Sequence, residues 1–318
     1  MNSWATSTIT EREGERHGGN GVIQMRILVA GWHGQVALAL SGAAVRRADV
    51  TAYAVGRPAL DLCDRPSVGR GLFGLKPDVI INTAAYTDVE GAESEPEIAR
   101  RRNTDGAAAL ARQAARIGVP VIHLSTVYVF DGAKDGPYVE TDAMAPINAY
   151  GRSKRDGEAA VAAANPRHVI LRTGWIYGPE GANFVTNILA RAARGEWLEV
   201  ADDQRGSPTY APALADAVLE IASQVAGRGR QDAVWGTYHI ADQGETDWHG
   251  FAKAALAAAG TVGEAHPLRA VSSEARRLRA PRPANATLAC GRLQETFGVR
   301  LPEWRVSLAA CVRGIEGG

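Results

Sequence analysis

A short strand that is apolar throughout and runs straight into two spaced glycines constrains this chain most. Arg26-Ile-Leu-Val-Ala30 leads into Gly31-Trp-His-Gly34, and an Ala/Leu/Val helix then continues to about Arg47. A strand apolar on both faces has to be covered on both faces, which places it inside a parallel sheet. The pattern recurs, with strands expected at 50–55, 78–81, 119–124 and 168–172 and helices at 96–117 and 150–164. Strands alternating with helices of this length predict an α/β fold with a doubly wound parallel sheet and right-handed crossovers. Beyond residue 174 the alternation loosens and Pro and Trp become more frequent, which reads as a smaller C-terminal lobe built on the sheet.

Composition removes several function classes. The 318 residues are 46% hydrophobic and 22% charged, with 35 Lys+Arg against 35 Asp+Glu. A net charge of zero argues against nucleic acid as a partner, because phosphate binding needs clustered excess cations. No apolar run reaches the roughly 18–20 residues that span a bilayer, so no membrane partner is expected. The 3 Cys, at positions 63, 290 and 311, are odd in number and far apart. That usage fits a reducing cytoplasm and no disulfide framework. The 7 His show no ligand spacing, and no metal site is expected. Residues 1–24 are polar, lack a secretory h-region and read as a disordered tail, with Met25 a plausible start.

Chemistry is carried by three constellations. The first is Gly31-x-x-Gly34-x-x-Ala37, where glycine lets backbone approach a pyrophosphate and the helix end offers amide donors, here including those of Gln35 and Val36. A glycine pair alone is weak, since strand-to-helix turns favour glycine anyway. Its place after the first strand strengthens it. Where an NAD site carries an acid after the second strand, this chain has Tyr53-Ala-Val-Gly-Arg57. Arg57 can clasp a 2′-phosphate, so NADP(H) is the preferred cofactor and NAD(H) the alternative. A solvated arginine in a turn is the competing reading. Asp61 and Leu62 suit an adenine.

The second constellation is Tyr150 with Lys154, which share one helix face at i, i+4. With 8 Tyr, and with lysine only at 76, 134, 154 and 253, about 0.1 such pairs are expected by chance. An ammonium beside a phenol favours the phenolate and makes tyrosine a usable general acid. A surface helix face is the bland alternative. The third is Ser125-Thr126 at the end of the fourth strand, where ligand crevices lie in open α/β sheets. Alone, such a pair is more often a turn or a helix cap.

Taken together, these residues resemble the dTDP-4-dehydrorhamnose reductase family of extended short-chain dehydrogenases/reductases. The resemblance runs from Met25 to about Val312. It rests also on Asn82-Thr-Ala-Ala-Tyr-Thr-Asp-Val-Glu90, Ser125-Thr-Val-Tyr-Val-Phe-Asp-Gly132, Pro146-Ile-Asn-Ala-Tyr-Gly-Arg-Ser-Lys154, Arg172-Thr-Gly-Trp-Ile-Tyr-Gly178 and Arg282-Pro-Ala-Asn285. It implies a Rossmann-type domain over 25–174, with 211–242 returning to it, and a substrate-binding lobe from 175–210 and 243–318. It further implies NAD(P)H-dependent reduction of the C4 ketone of a nucleotide-linked 4-keto-6-deoxy sugar, most closely dTDP-4-dehydro-L-rhamnose, by a monomer or homodimer.

By the same resemblance Tyr150 protonates the C4 oxygen, Lys154 holds the nicotinamide ribose and Thr126 polarises the carbonyl. Ala84, Ala85 and Tyr86 line the cofactor groove. Trp175 walls the sugar, and Val127, Asn183, Gln204 and Arg282 belong to the substrate site. Two positions depart from the family pattern: Val127 stands where Asp is usual, and Gly174 where Ser is common. Those departures keep open a reductase for another nucleotide-linked 4-keto sugar and a non-catalytic NADP-binding regulatory homologue. A related epimerase with tightly held NAD is disfavoured by Arg57 and the missing acid.

Overall fold

The computed structural model describes residues 24–260, 268–276 and 278–317, so the tail expected over 1–24 lies outside the described residues apart from Gln24. The chain runs β1 (Met25–Ala30), α1 (Gln35–Val45), β2 (Val50–Val55), α2 (Arg65–Phe73), β3 (Val79–Asn82), α3 (Val89–Ser94) and α4 (Pro96–Arg100). A π-helical turn at Arg101–Gly106 leads into α5 (Ala107–Arg116), β4 (Val121–Thr126), α6 (Ala149–Ala164) and β5 (His168–Thr173). There follow β6 (Ile176–Tyr177), α7 (Phe184–Ala193), β7 (Leu198–Ala201), β8 (Arg205–Gly206), β9 (Thr209–Tyr210), α8 (Ala211–Val225) and β10 (Gly236–His239). The last elements are β11 (Thr246–Asp247), α9 (Trp248–Ala258), β12 (Leu268–Val271), β13 (Asn285–Ala286), α10 (Gly291–Phe297) and α11 (Trp304–Glu316).

Six parallel strands form one sheet in the order β10-β5-β4-β3-β1-β2. The winding reverses at β1, which has β2 on one side and β3 on the other, and a crevice opens at such a point beyond the strands' carboxyl ends. Strand residues alternate between two apolar layers. Ile27, Val29, Val79 and Ile81 face α1 and α8, whereas Leu28, Ile80 and Val121 face α2, α5 and α6. Both α8 and β10 join this body after the chain has left it to make β6 to β9. The remaining segments build short sheets (β11-β8-β13, β7-β12 and β6-β9) around α7, α9 and α11.

Local periodicity located the elements but shifted some edges. The strands expected at 78–81 and 119–124 are Val79–Asn82 and Val121–Thr126. Pro120 lacks a donor and stays outside the ladder. The helix expected over 96–117 is divided by the π-helical turn. There the Asn103 side chain turns inward to accept from Tyr86 N at 2.7 Å and donate to Ser153 Oγ at 2.9 Å. Such a widened turn serves tertiary contacts, which no local pattern announces.

Candidate active site

Gly31 takes φ +115°, and a β-carbon there would lie 2.6 Å from Thr83 Oγ1. Only glycine lets β1 turn into α1 at this point. Gly34, the N-cap of α1, has nothing within 4 Å of where a β-carbon would stand; no side chain caps the helix and no acid occupies its first turn. The partial positive charge of the helix end therefore faces an open cradle. Both glycines line a cavity of about 270 Å³ together with Arg57, Leu60, Asp61, Leu62, Ala84 and Ala85. A dinucleotide fits this chemistry: backbone amides for the pyrophosphate, apolar leucines for a base and a guanidinium for a phosphate.

Other expected cofactor residues sit differently. Gln35 reaches Ala182 O at 3.1 Å and Val36 is buried in the core, so what they can offer the groove is backbone. The Asp61 carboxylate accepts from Cys63 N at 2.9 Å. Tyr86 lies beside the groove: its hydroxyl donates to Glu95 at 3.0 Å, and the Arg102 guanidinium sits 5.6 Å from its ring centre.

The Tyr150–Lys154 pair is set by how α6 begins. Asn148 Oδ1 accepts from Gly151 N at 2.7 Å, and Glu93 Oε1 accepts from Ala149 N at 2.6 Å. A β-carbon on Gly151 would lie 2.0 Å from Tyr128 O, so glycine lets α6 press onto the turn after β4. That approach brings the Tyr150 phenol beside the Thr126 hydroxyl, close enough for the hydroxyl to pull its pKa down. Burial pushes the phenol up to about 12, outweighing the opposite pull of Thr126. Lys154 is 2% exposed; its Nζ donates to Leu124 O at 2.7 Å and lies 3.5 Å from His123 Nε2. Burial brings its pKa down to about 8. Burial is the largest cause at both groups, and the ammonium that the sequence reading set against the phenol is engaged by a β4 carbonyl. At neutral pH Tyr150 carries its proton, the state a general acid needs.

Of the hydroxyl pair on β4, only Thr126 faces Tyr150. Ser125 Oγ donates to Glu158 Oε1 at 2.5 Å, and Glu158 takes a forked contact from Arg172, the closest at 2.7 Å. Tyr128 meets Tyr150 edge-on at 6.2 Å between ring centres. The Arg282 guanidinium lies 5.8 Å from the Tyr128 ring centre and donates to Glu90 Oε1 at 2.7 Å. Glu90 Oε2 also accepts from Arg279 N at 2.9 Å, and Asn148 Nδ2 donates to Pro281 O at 2.9 Å. The 279–282 segment is thus clamped above α6.

Trp175, at φ +48°, stacks on Trp248 with ring centres 3.5 Å apart and planes 11° from parallel. Val127 is 1% exposed and packs with Val129, Phe130 and Tyr138, a core position that gives the crevice no wall. Asn183 caps α7, accepting from Val185 N at 3.0 Å and Thr186 N at 3.2 Å. Gln204 is buried between β7 and β8. Among the described residues no group of three or more His, Cys, Asp or Glu is placed to hold a metal ion, and no helix is long and apolar enough to cross a membrane.

With this geometry in hand, comparison with known proteins decides the family. The family described as RmlD substrate binding domain matches residues 25–316. A dTDP-4-dehydrorhamnose reductase from Sinorhizobium fredii is 46% identical over 284 residues, 89% of this chain and 95% of the relative. The chain belongs to the dTDP-4-dehydrorhamnose reductase family. Solved structures agree. A dTDP-4-dehydrorhamnose reductase from Clostridium acetobutylicum superposes with a TM-score of 0.85 at 30% identity, covering 92% of this chain and all (100%) of that one. One from Bacillus anthracis, in complex with NADP, gives 0.84 at 29% identity over 91% of this chain and 98% of that one.

For a member of the dTDP-4-dehydrorhamnose reductase family, the residues that sequence reading passed over are Trp32, Thr83, Thr87 and Arg102 in the groove, and Tyr128, Glu90 and His123 around Tyr150 and Lys154. Trp32 lay inside the quoted glycine turn and Arg102 in a run of three arginines. Thr83, Thr87 and Glu90 lay inside the quoted 82–90 motif and Tyr128 inside the quoted 125–132 motif, while His123 carries no local signal.

Proposed function

We propose that this chain uses NADPH to reduce the C4 ketone of a nucleotide-linked 4-keto-6-deoxy sugar, dTDP-4-dehydro-L-rhamnose, giving dTDP-L-rhamnose. The observation that carries the reading is the protonated Tyr150 phenol beside the Thr126 hydroxyl at the carboxyl end of β4, with Lys154 one helical turn along. The names of the relatives and the NADP held by the Bacillus anthracis structure support it.

A reduced nicotinamide bound in the groove supplies the hydride. Tyr150 delivers the proton to the C4 oxygen as negative charge develops there, and the Thr126 hydroxyl donates to the same oxygen. Lys154 is the residue that would hold the nicotinamide ribose, and Gly31, Gly34 and the first amides of α1 the pyrophosphate. Arg57, across the groove from α1, would take the 2′-phosphate. Trp175 and Arg282 flank the sugar from the smaller lobe. We divide the chain accordingly: 25–174 with 211–242 holds the nucleotide, since α8 and β10 rejoin the sheet. Residues 175–210 and 243–318 hold the sugar. The three free thiols suit a cytoplasmic site of action.

The test is NADPH oxidation followed at 340 nm with dTDP-4-dehydro-L-rhamnose and a panel of other nucleotide-linked 4-keto sugars. Turnover on the rhamnose precursor supports the reading, and turnover on another sugar alone moves the substrate. Tight NADPH binding with no oxidation on any of them would make the chain a regulatory homologue.

A further inference from the structure

Ala84 N donates to Asn82 Oδ1 at 3.2 Å, which fixes the amide of Asn82 so that its Nδ2 is the atom 3.0 Å from His123 Nδ1. An amide nitrogen donates, so His123 Nδ1 accepts. The neutral imidazole must then carry its hydrogen on Nε2. That N–H points at Lys154 Nζ, 3.5 Å away. Two donors face one another if the lysine is an ammonium; a neutral amine instead accepts from the imidazole while still donating to Leu124 O.

We propose that His123, locked by Asn82 in its Nε2–H tautomer, is a positioning residue that sets the charge state of Lys154 and so the pH range over which the enzyme works. The inference rests on the assignment of Lys154 as partner of Tyr150. All three residues of the chain are nearly sealed from solvent, with exposures of 1% for Asn82 and His123 and 2% for Lys154, so no bulk water relieves the opposed donors. Desolvation and the nearby lysine hold His123 well below its usual range, which keeps the imidazole neutral. Burial already lowers Lys154 to about 8. The other titratable groups around the pair are Tyr150 and Glu158 on α6 and His168 on β5. Glu158, which favours the ammonium, is taken up by Arg172 and Ser125, so it does not offset His123 fully.

The pH dependence of kcat/KM separates this role from mere packing. In the native enzyme activity is expected to fall on the alkaline side as Lys154, lowered to about 8 by burial, loses its proton. His123→Leu removes the opposed N–H, and the alkaline limb moves up by about half to one pH unit. His123→Gln keeps an acceptor for Asn82 and a donor toward Nζ, and the limb returns to its native position. A limb that stays put or moves down in the leucine variant overturns the proposal. A second readout does not depend on the variants folding: nitrogen NMR of histidine-labelled native protein, with the His123 ring told apart from the Nδ1-donating His168 and His239, shows His123 protonated at Nε2. Protonation at Nδ1 overturns the proposal directly. Failure of the functional reading looks different, since the native protein would then oxidise no NADPH with any 4-keto sugar, whichever nitrogen of His123 carries the hydrogen.

Discussion

Val127 and Gly174 share one volume: a β-carbon built on Gly174 would lie 2.7 Å from Val127 Cγ1. The two departures from the family pattern are therefore one packing event. The valine fills the space that a serine side chain would claim, beneath Thr126 and next to the strained backbone of Trp175.

Gly174→Ser is accordingly expected to destabilise the native chain by about 1–3 kcal/mol through overpacking. Combining it with Val127→Ala should recover part of that loss. Urea unfolding of both single variants and the double variant gives the coupling energy, and strict additivity would show that the two residues do not compete.

Val127→Asp places a carboxylate at a site 1% exposed and lined by Val129, Phe130 and Tyr138. It should lower stability by several kcal/mol at neutral pH, with the loss shrinking in acid as the carboxyl takes a proton. Equal melting temperatures for native and variant at pH 7 would mean that residue 127 faces the solvent-filled crevice.

Tyr150→Phe should bind NADPH as tightly as the native enzyme and turn over at least about 10²-fold more slowly, the usual scale for a lost general acid. Fluorescence titration and steady-state rates measure the two separately. An unchanged kcat would remove Tyr150 from the mechanism.

Arg57→Ala should weaken NADPH by about 1.5–3 kcal/mol, the value of a charge-assisted hydrogen bond, and leave NADH nearly unaffected. Equal losses for both cofactors would return Arg57 to an ordinary turn residue.

Asp242 is 2% exposed, and its Oδ2 accepts from the Tyr177 hydroxyl and Tyr210 N, both at 3.3 Å, while its Oδ1 has no hydrogen-bond partner. Burial pushes its pKa up to about 7 from an ordinary 3.8. The folded state thus prefers the protonated acid. Its charged form is a burden that is fully present above about pH 7 and relieved as pH falls toward 3.8. Asp242→Asn should therefore raise the melting temperature at pH 8 and change it little at pH 4. A variant less stable at both pH values would show that the carboxylate itself is needed.

How much of this was legible beforehand depended on the range of the interaction. Strand and helix identity, the glycine turn and the Tyr150–Lys154 pair rest on periods of two and four residues, which the chain writes into any ten-residue window. Position alone left Ser125 and Thr126 undivided, and only the family resemblance singled out Thr126. Alternate strand residues face opposite sides, and Glu158, 33 residues later, takes the serine and leaves the threonine to Tyr150.

By itself, then, the amino-acid sequence determined a doubly wound sheet, a phosphate-ready turn after β1 and a tyrosine and lysine on one helix face, because backbone sterics and apolar patterning act locally. Tertiary structure alone decided the proton states of Tyr150 and Lys154, the π-helical turn at Asn103 and the sharing of space between Val127 and Gly174. Desolvation and close packing depend on which distant segments exclude water from a given atom, and no stretch of sequence records that on its own.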